Sequence, residues 1–576
     1  MTFSSVMESR HRGSDDLLTA GLGTAGIRAE QAPRFAVAEQ PTPDEVRRRA
    51  IYASWRANAD LSPQGGYGTL YGHFDAVPGR EYQAFAYLPE ARSPHRVLPQ
   101  APDAFDRKAR CLVVTASPGS RGIYGSIALA GAWGLPRGCA VAYTDKGCGS
   151  GYFDTGSDTG VCLDGTRAAR GTAELEFEPP PATAEVGIKH AHSGDNPDAR
   201  WGECVLQAVD FGLAMLDRAY PDAAPFTAAN TRILAVGLSN GGSAVLRAAG
   251  LDQHGVLDGV VALSPNIHTP TVSRPFYDYT SEAALLFGSA LAAPAFAELV
   301  RARYGEQLPY PAAQHGAALA HAGLLSASDP AAWPQEALDC LLAGGWTPAA
   351  LQAGALINEM PIWRAAGLIY ASAYLRCSMD DRPCNLRFVA RMSDAHGALV
   401  PTDAKTRATW WADGNGIPPH DGIMLPPAAD HAALVDDFLC LRGFWTGTSA
   451  EADVLRASVA ATAAALPAPD LPVWIVHGAD DGLIPMHFSS DAYVQWLRAN
   501  DRVSVYWQVP HAQHSDGLLI WPALGARYLP LLPHAYAALD GLWRHLADGT
   551  TLPASATLET QPRGDRLLEA THLGLG

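Results

Sequence analysis

Long apolar runs are missing from this 576-residue sequence. No stretch of about eighteen consecutive apolar residues occurs, so no membrane-spanning helix is expected. The first ten residues, Met1 to Arg10, also lack the apolar core of an export signal. The expectation is a cytoplasmic protein, or a secreted one if a leader is missing from the sequence given. Paired metal-binding cysteines are absent too: the nine cysteines, at 111, 139, 148, 162, 204, 340, 377, 384 and 440, are dispersed without a C-x-x-C spacing. They predict mostly reduced, buried thiols and no metal site. Cys377 and Cys384, flanking Ser-Met-Asp-Asp-Arg-Pro, would close a small loop in an exported protein. Positive charge is in short supply, with 42 Lys and Arg against 59 Asp and Glu and a formal net charge of −17. That balance opposes nucleic-acid phosphates and anionic membrane surfaces, and favours a neutral or weakly charged small molecule as partner.

With 48% hydrophobic and 18% charged residues, the chain can bury a large core, and its length calls for several domains or one domain with a large insertion. Apolar strand candidates at 82–88, 111–116, 139–144, 232–236, 257–263, 473–477 and 503–509 alternate with helical stretches near 123–133, 203–218, 243–249, 488–499 and 534–546. This order predicts a mostly parallel sheet with helices on both faces, the arrangement of an α/β-hydrolase. Between Leu263 and Val473 lie roughly two hundred residues rich in Ala, Leu and Trp, read as a mainly helical lid inserted at the ligand-binding edge. The predicted division is an N-terminal extension over 1–80, the first part of the core over 81–268, the lid over 269–466 and the second part of the core over 467–576.

The run Arg232–Val236 leads into Gly237-Leu238-Ser239-Asn240-Gly241 and then a small-residue helix. A strand, G-x-S-x-G and a helix in succession form the sharp turn that exposes a nucleophilic serine. The orienting acid is expected after a late strand, where His477-Gly478-Ala479-Asp480-Asp481 offers Asp481, with Asp480 as its neighbour and alternative. The base is expected after the last strand, where Pro510-His511-Ala512-Gln513-His514 offers His514, with His511 as the alternative. Two backbone N–H groups must meet the developing oxyanion; Asn240 supplies one, and Ser120 or Arg121, in the glycine-rich loop 117–122, the other. Gly21-Leu22-Gly23-Thr24-Ala25-Gly26 matches a nucleotide-binding fingerprint but no strand precedes it. Gly147–Gly151 lacks a phosphate loop's ending and is read as a flexible border of the site. The residue types call for no cofactor.

Four separated stretches, Asp15–Gly23, Pro118–Gly125, Arg137–Gly147 and Ser239–Gly242, together resemble the D-(−)-3-hydroxybutyrate oligomer hydrolases. The resemblance runs from near residue 15 to near residue 550 and is weakest over the insertion. It implies cleavage of short linear 3-hydroxybutyrate esters to monomer, with Ser239 as nucleophile. Beside that site, Arg121 is a candidate partner for the free carboxylate of a short oligomer, and equally a structural or solvated arginine. Esterases of other acyl or aromatic esters, and a silent α/β-hydrolase-like binding protein, are the competing readings.

Overall fold

Alternate residues of a strand face opposite sides of a sheet, and in this chain both sides are buried. The computed structural model describes residues 2–119, 121–146, 150–271, 273–305, 311–357, 360–394, 396–414 and 421–575. One sheet is built from β1 (Thr2–Phe3), β2 (Met7–His11), β3 (Gly79–Tyr87), β4 (His95–Pro102), β5 (Cys111–Ala116), β6 (Ala140–Asp145), β7 (Arg232–Leu238), β8 (Gly259–Leu263), β9 (Val473–Gly478), β10 (Ser504–Val509) and β11 (Ala556–Thr557). The spatial order is β1-β3-β4-β6-β5-β7-β8-β9-β10-β11, with β2 also pairing with β3. From β6 to β11 neighbouring strands are parallel, and β4 runs antiparallel to β3 and β6.

Val113 of β5, Leu234 and Val236 of β7 and Trp474 and Val476 of β9 enter one core; Leu112, Val114, Ile233, Ala235, Val473 and Ile475, one residue out of phase, enter the other. The first core is closed by α1 (Pro43–Asn58), whose Ile51 and Trp55 are fully buried. The second is closed by α2 (Pro197–Ala219) and α3 (Asn240–Leu251), through Val205, Val209 and Val245. Helices on both faces of a mainly parallel sheet, with the Ser239 turn at the end of β7, make this an α/β-hydrolase fold.

The strand pattern differs from the sequence expectation at β1, β2, β4 and β11, four strands of the sheet that were not expected, and β4 is the longest of them. Pro99 sits inside it and cannot donate to the ladder, which demotes such a run in any strand reading, yet all eight residues are buried and Pro99 is in register with Ala142. The N-terminal 80 residues do more than pack on the core, since they supply β1 and β2 to the sheet and α1 to its face. Helix α1 starts where Thr42 and Glu45 cap one another's backbone N–H groups, with Pro43 at the first helical position.

Between β8 and β9 the chain is mainly helical, including α4 (Phe276–Ala290), α5 (Met360–Leu375) and α6 (His431–Thr446), and it has apolar cores of its own. Arg442 of α6 and Arg274 both bind the Asp278 carboxylate of α4, at 2.7 Å. The expected Cys377–Cys384 loop does not form. Cys384 is bonded to Cys440 of α6, 56 residues on and 5.7 Å between Cα atoms, while Cys377 is buried and free. Folding against α6, which sequence spacing does not reveal, decides that pairing. Among the described residues no single helix is long and apolar enough to cross a membrane; α4 with Pro294–Tyr304 passes only as a pair bent by 88°, and the apolar side chains of α4 belong to the insertion's core.

Candidate active site

Parallel strands deliver their carboxyl ends to one edge, and loops after β5, β7, β9 and β10 meet there. Ser239 turns from β7 into α3 with φ 60° and ψ −127°, a conformation that costs on the order of 1–3 kcal/mol for a non-glycine residue. Its neighbours are glycines for reasons of space. A Cβ on Gly237 would stand 2.2 Å from the Gly241 carbonyl oxygen, and one on Gly241 would stand 2.3 Å from that of Ala116. The turn is fastened to β8 and its following loop, because the Ser239 N–H donates to Leu263 at 2.9 Å and its carbonyl accepts from the Asn266 N–H at 3.1 Å.

His514 brings Nε2 to 2.9 Å from Ser239 Oγ and Nδ1 to 2.7 Å from Asp481 Oδ2. The other Asp481 oxygen accepts the N–H groups of Leu483 at 2.9 Å and Ile484 at 2.7 Å. Burial opposes the charge on Asp481, but His514 and His477 hold its carboxyl far below the ordinary carboxylate value. Both alternatives lie elsewhere: His511 makes its ring contact with Thr560 at 3.2 Å, and Asp480, its carboxyl raised by burial, faces His511. The structure thus brings Ser239, His514 and Asp481 into one hydrogen-bonded line.

His477 is a participant the sequence reading passed over. It is fully buried, 3.4 Å from Asp481 Oδ2, with its ring nitrogens on Ser490 Oγ at 2.6 Å and the Ile484 carbonyl at 2.9 Å. Its place in His477-Gly478-x-x-Asp481 was the available signal.

Asn240 opens α3, so its N–H has no carbonyl one turn back within the helix. Its side chain is fixed from three directions. Asn266 Nδ2 donates to Oδ1 at 2.8 Å, Nδ2 donates to the Tyr370 hydroxyl of α5, and a Cβ on Gly119 would stand 2.3 Å from Nδ2. Ser120 lies outside the described residues. The Arg121 amide does not stand free as expected for an oxyanion donor, because it donates to the Pro118 carbonyl at 3.0 Å and closes the loop on itself. The Arg121 side chain instead lines a cavity of about 390 Å³ with Ser239, Asn240 and His514, walled by Phe276 and Trp363 of the insertion.

The family model for 3HB-oligomer hydrolases matches residues 2–574. The chain belongs to this family. Among curated relatives, the D-(−)-3-hydroxybutyrate oligomer hydrolase of Paracidovorax citrulli is 37% identical, covering 96% of this chain and 87% of that one. That of Cupriavidus metallidurans is 35% identical, covering 97% and 86%. Among solved structures, feruloyl esterase B from Aspergillus oryzae overlaps 90% of this chain and 89% of its own at 12% identity, with a TM-score of 0.39.

The four stretches that resemble the 3HB-oligomer hydrolases divide between site and scaffold. Pro118–Gly125 and Ser239–Gly242 reach the cavity. Asp15–Gly23 is a turn held by Asp16, whose carboxylate accepts the N–H groups of Leu18 and Thr19 at 2.7 Å and of Gly21 at 2.9 Å. Gly21 has φ +76°, and a Cβ there would lie 1.9 Å from the Ser14 carbonyl oxygen. Within Arg137–Gly147, Ala140–Asp145 is β6, and Lys146 after it pairs with the buried Asp198; His190 Nε2 also reaches Asp198, at 2.7 Å. Gly147, Cys148 and Gly149, read as a flexible border, lie outside the described residues. Among the described residues no group of three or more His, Cys, Asp or Glu is placed to hold a metal ion.

Proposed function

We propose that this protein hydrolyses short 3-hydroxybutyrate oligomers to monomer through an acyl-enzyme on Ser239. The observation that carries the reading is the Ser239–His514–Asp481 line, at the strand edge of a chain that belongs to the 3HB-oligomer hydrolase family. Asp481 accepts a hydrogen bond from His514 Nδ1–H, which keeps that proton on Nδ1 and leaves Nε2 free to take the Ser239 proton as Oγ attacks the ester carbonyl. The Asn240 N–H, at the positive end of α3, stabilises the oxyanion. Collapse of the tetrahedral intermediate expels the alcohol, which takes the proton back from His514. Water then attacks the hydroxybutyryl-enzyme by the same route in reverse.

The helical insertion serves as the lid of this site in this reading, which the lining of the cavity by its Phe276, Trp363 and Tyr370 supports. A cavity walled by such a lid would admit soluble oligomers and exclude solid polymer. The Cys384–Cys440 pairing supports the secreted one of the two compartments named from the sequence, because disulfides persist in oxidising surroundings. The deciding experiment offers purified protein the 3-hydroxybutyrate dimer and trimer, amorphous polymer granules and p-nitrophenyl esters side by side. Monomer release mainly from dimer and trimer is expected. A preference for granules or long-chain esters would overturn the substrate, and ester hydrolysis by a Ser239→Ala variant would overturn the site.

A further inference from the structure

A half-buried arginine beside a reacting centre ordinarily pairs with a carboxylate, because a partly desolvated cation without a partner is costly. Arg121 departs from that rule. It follows β5 in the loop that carries Gly119, it faces the cavity that holds Ser239, and among the described residues its guanidinium has neither an ion-pair nor a hydrogen-bond partner. Burial lowers its pKa to about 10 with no acid to offset the effect, and it still carries its charge at neutral pH. Its position is fixed: a Cβ on Gly125 would stand 2.6 Å from the Arg121 Cβ, and Asn58 of α1 holds the Gly125 carbonyl at 2.7 Å.

The surroundings point the same way. Although the chain has a formal charge of −17, the described residues lining this cavity include Arg56 and Arg121 and no Asp or Glu. Arg56 is committed to the Ala29 carbonyl at 3.1 Å and stacks on Tyr52. Arg121 is therefore the arginine in the cavity whose guanidinium has no hydrogen-bond or ion-pair partner among the described residues.

We propose that Arg121 binds the free carboxylate of the oligomer and so fixes which end is cut. This rests on the reading of the protein as a 3-hydroxybutyrate oligomer hydrolase. A linear oligomer has one hydroxyl end and one carboxyl end. With the carboxylate held by Arg121 beside Ser239, the ester presented to the hydroxyl is the one that joins the carboxyl-terminal unit to the rest. The Ser239 Oγ–carbonyl bond forms, the bond from that carbonyl to the alkoxy oxygen of the terminal unit breaks, and the terminal unit leaves as 3-hydroxybutyrate with the proton returned by His514. The rest of the chain stays on Ser239 until water releases it one unit shorter. Arg121 is thus a specificity residue that sets the direction of cutting.

Two measurements test this. The first compares kcat/KM for the dimer free acid with that for its methyl ester in the wild type, Arg121→Met and Arg121→Lys. The acid-to-ester ratio is expected to fall about ten- to hundredfold in Arg121→Met, the worth of a charge-assisted pair, and to recover in part in Arg121→Lys. Taking the ratio within each variant cancels any loss of folded protein. An unchanged ratio overturns the proposal. The second gives excess wild-type enzyme a trimer isotopically labelled in its carboxyl-terminal unit, in a single turnover. The first monomer released is expected to carry the label, and unlabelled monomer appearing first overturns the assigned direction. If the wild type releases no monomer from dimer or trimer, the oligomer-hydrolase reading itself falls; monomer release with either of the other failures removes only the role of Arg121.

Discussion

A serine hydroxyl attacks an ester only when a base removes its proton, and at Ser239 the base is one hydrogen bond away. Replacing Ser239 or His514 with Ala is expected to lower kcat by roughly four to six orders of magnitude, and Asp481→Asn by about four, because Asn would favour the wrong imidazole tautomer. The companion variant His511→Ala should retain activity within a fewfold, since its ring meets Thr560 and not Ser239. Steady-state kinetics on the dimer checks all four, and a large loss in His511→Ala would reassign the base. The acid's identity was readable to within one residue from the turn after β9, and the base to within two candidates. What separates Asp481 from Asp480, and His514 from His511, is the direction each side chain takes from its loop. The donors of Leu483 and Ile484 to Asp481 and the backbone turn at His511, φ 57°, set that direction.

Elements were legible where the pattern carried the reason for the element. Strand β5 lies where its apolar run does, and β7 continues two residues past its predicted end; β4 was illegible because Pro99 hides a buried strand. The final helix shows a further coupling that no periodicity reports. Helix α7 (Leu532–Asp548) begins on Asp516, whose carboxyl oxygens accept the N–H groups of Leu531 at 2.7 Å and Leu532 at 2.9 Å. Burial pushes the Asp516 carboxyl up to about 7, against those two donors and with Asp60 adding to the rise. A group that holds its proton more tightly when folded contributes its full stability below the unfolded value of about 3.9 and loses it as pH rises towards 7. The contribution of Asp516 is therefore expected to fall between about pH 4 and 7. Denaturant midpoints measured across that range should show a shallower decline with pH in Asp516→Asn than in the wild type, and parallel curves would remove Asp516 as the cause.

At the scale of the whole molecule, the site is a meeting of distant stretches. Ser239, Asp481 and His514 come from loops at the sheet's edge, Arg56 and Asn58 from helix α1, and Phe276, Trp363 and Tyr370 from the insertion. The sheet residues dictate the chemistry, while the insertion dictates the room around it, and this second contribution was the part least legible in the sequence. A run of Ala, Leu and Trp announces a helical core without saying which face turns to the serine. Trp363 makes the division testable, because it is 4% exposed and lines the catalytic cavity while packing in the insertion's core. Trp363→Ala should cost about 3–5 kcal/mol of stability by leaving a void and should widen the cavity without touching Ser239, His514 or Asp481. The expected kinetic result is a higher ratio of kcat/KM for tetramer over dimer than in the wild type, measured at a temperature where the variant's circular dichroism shows it folded. An unchanged ratio would mean that chain length is selected at the strand edge itself, and the insertion would then be a cover and not a gauge.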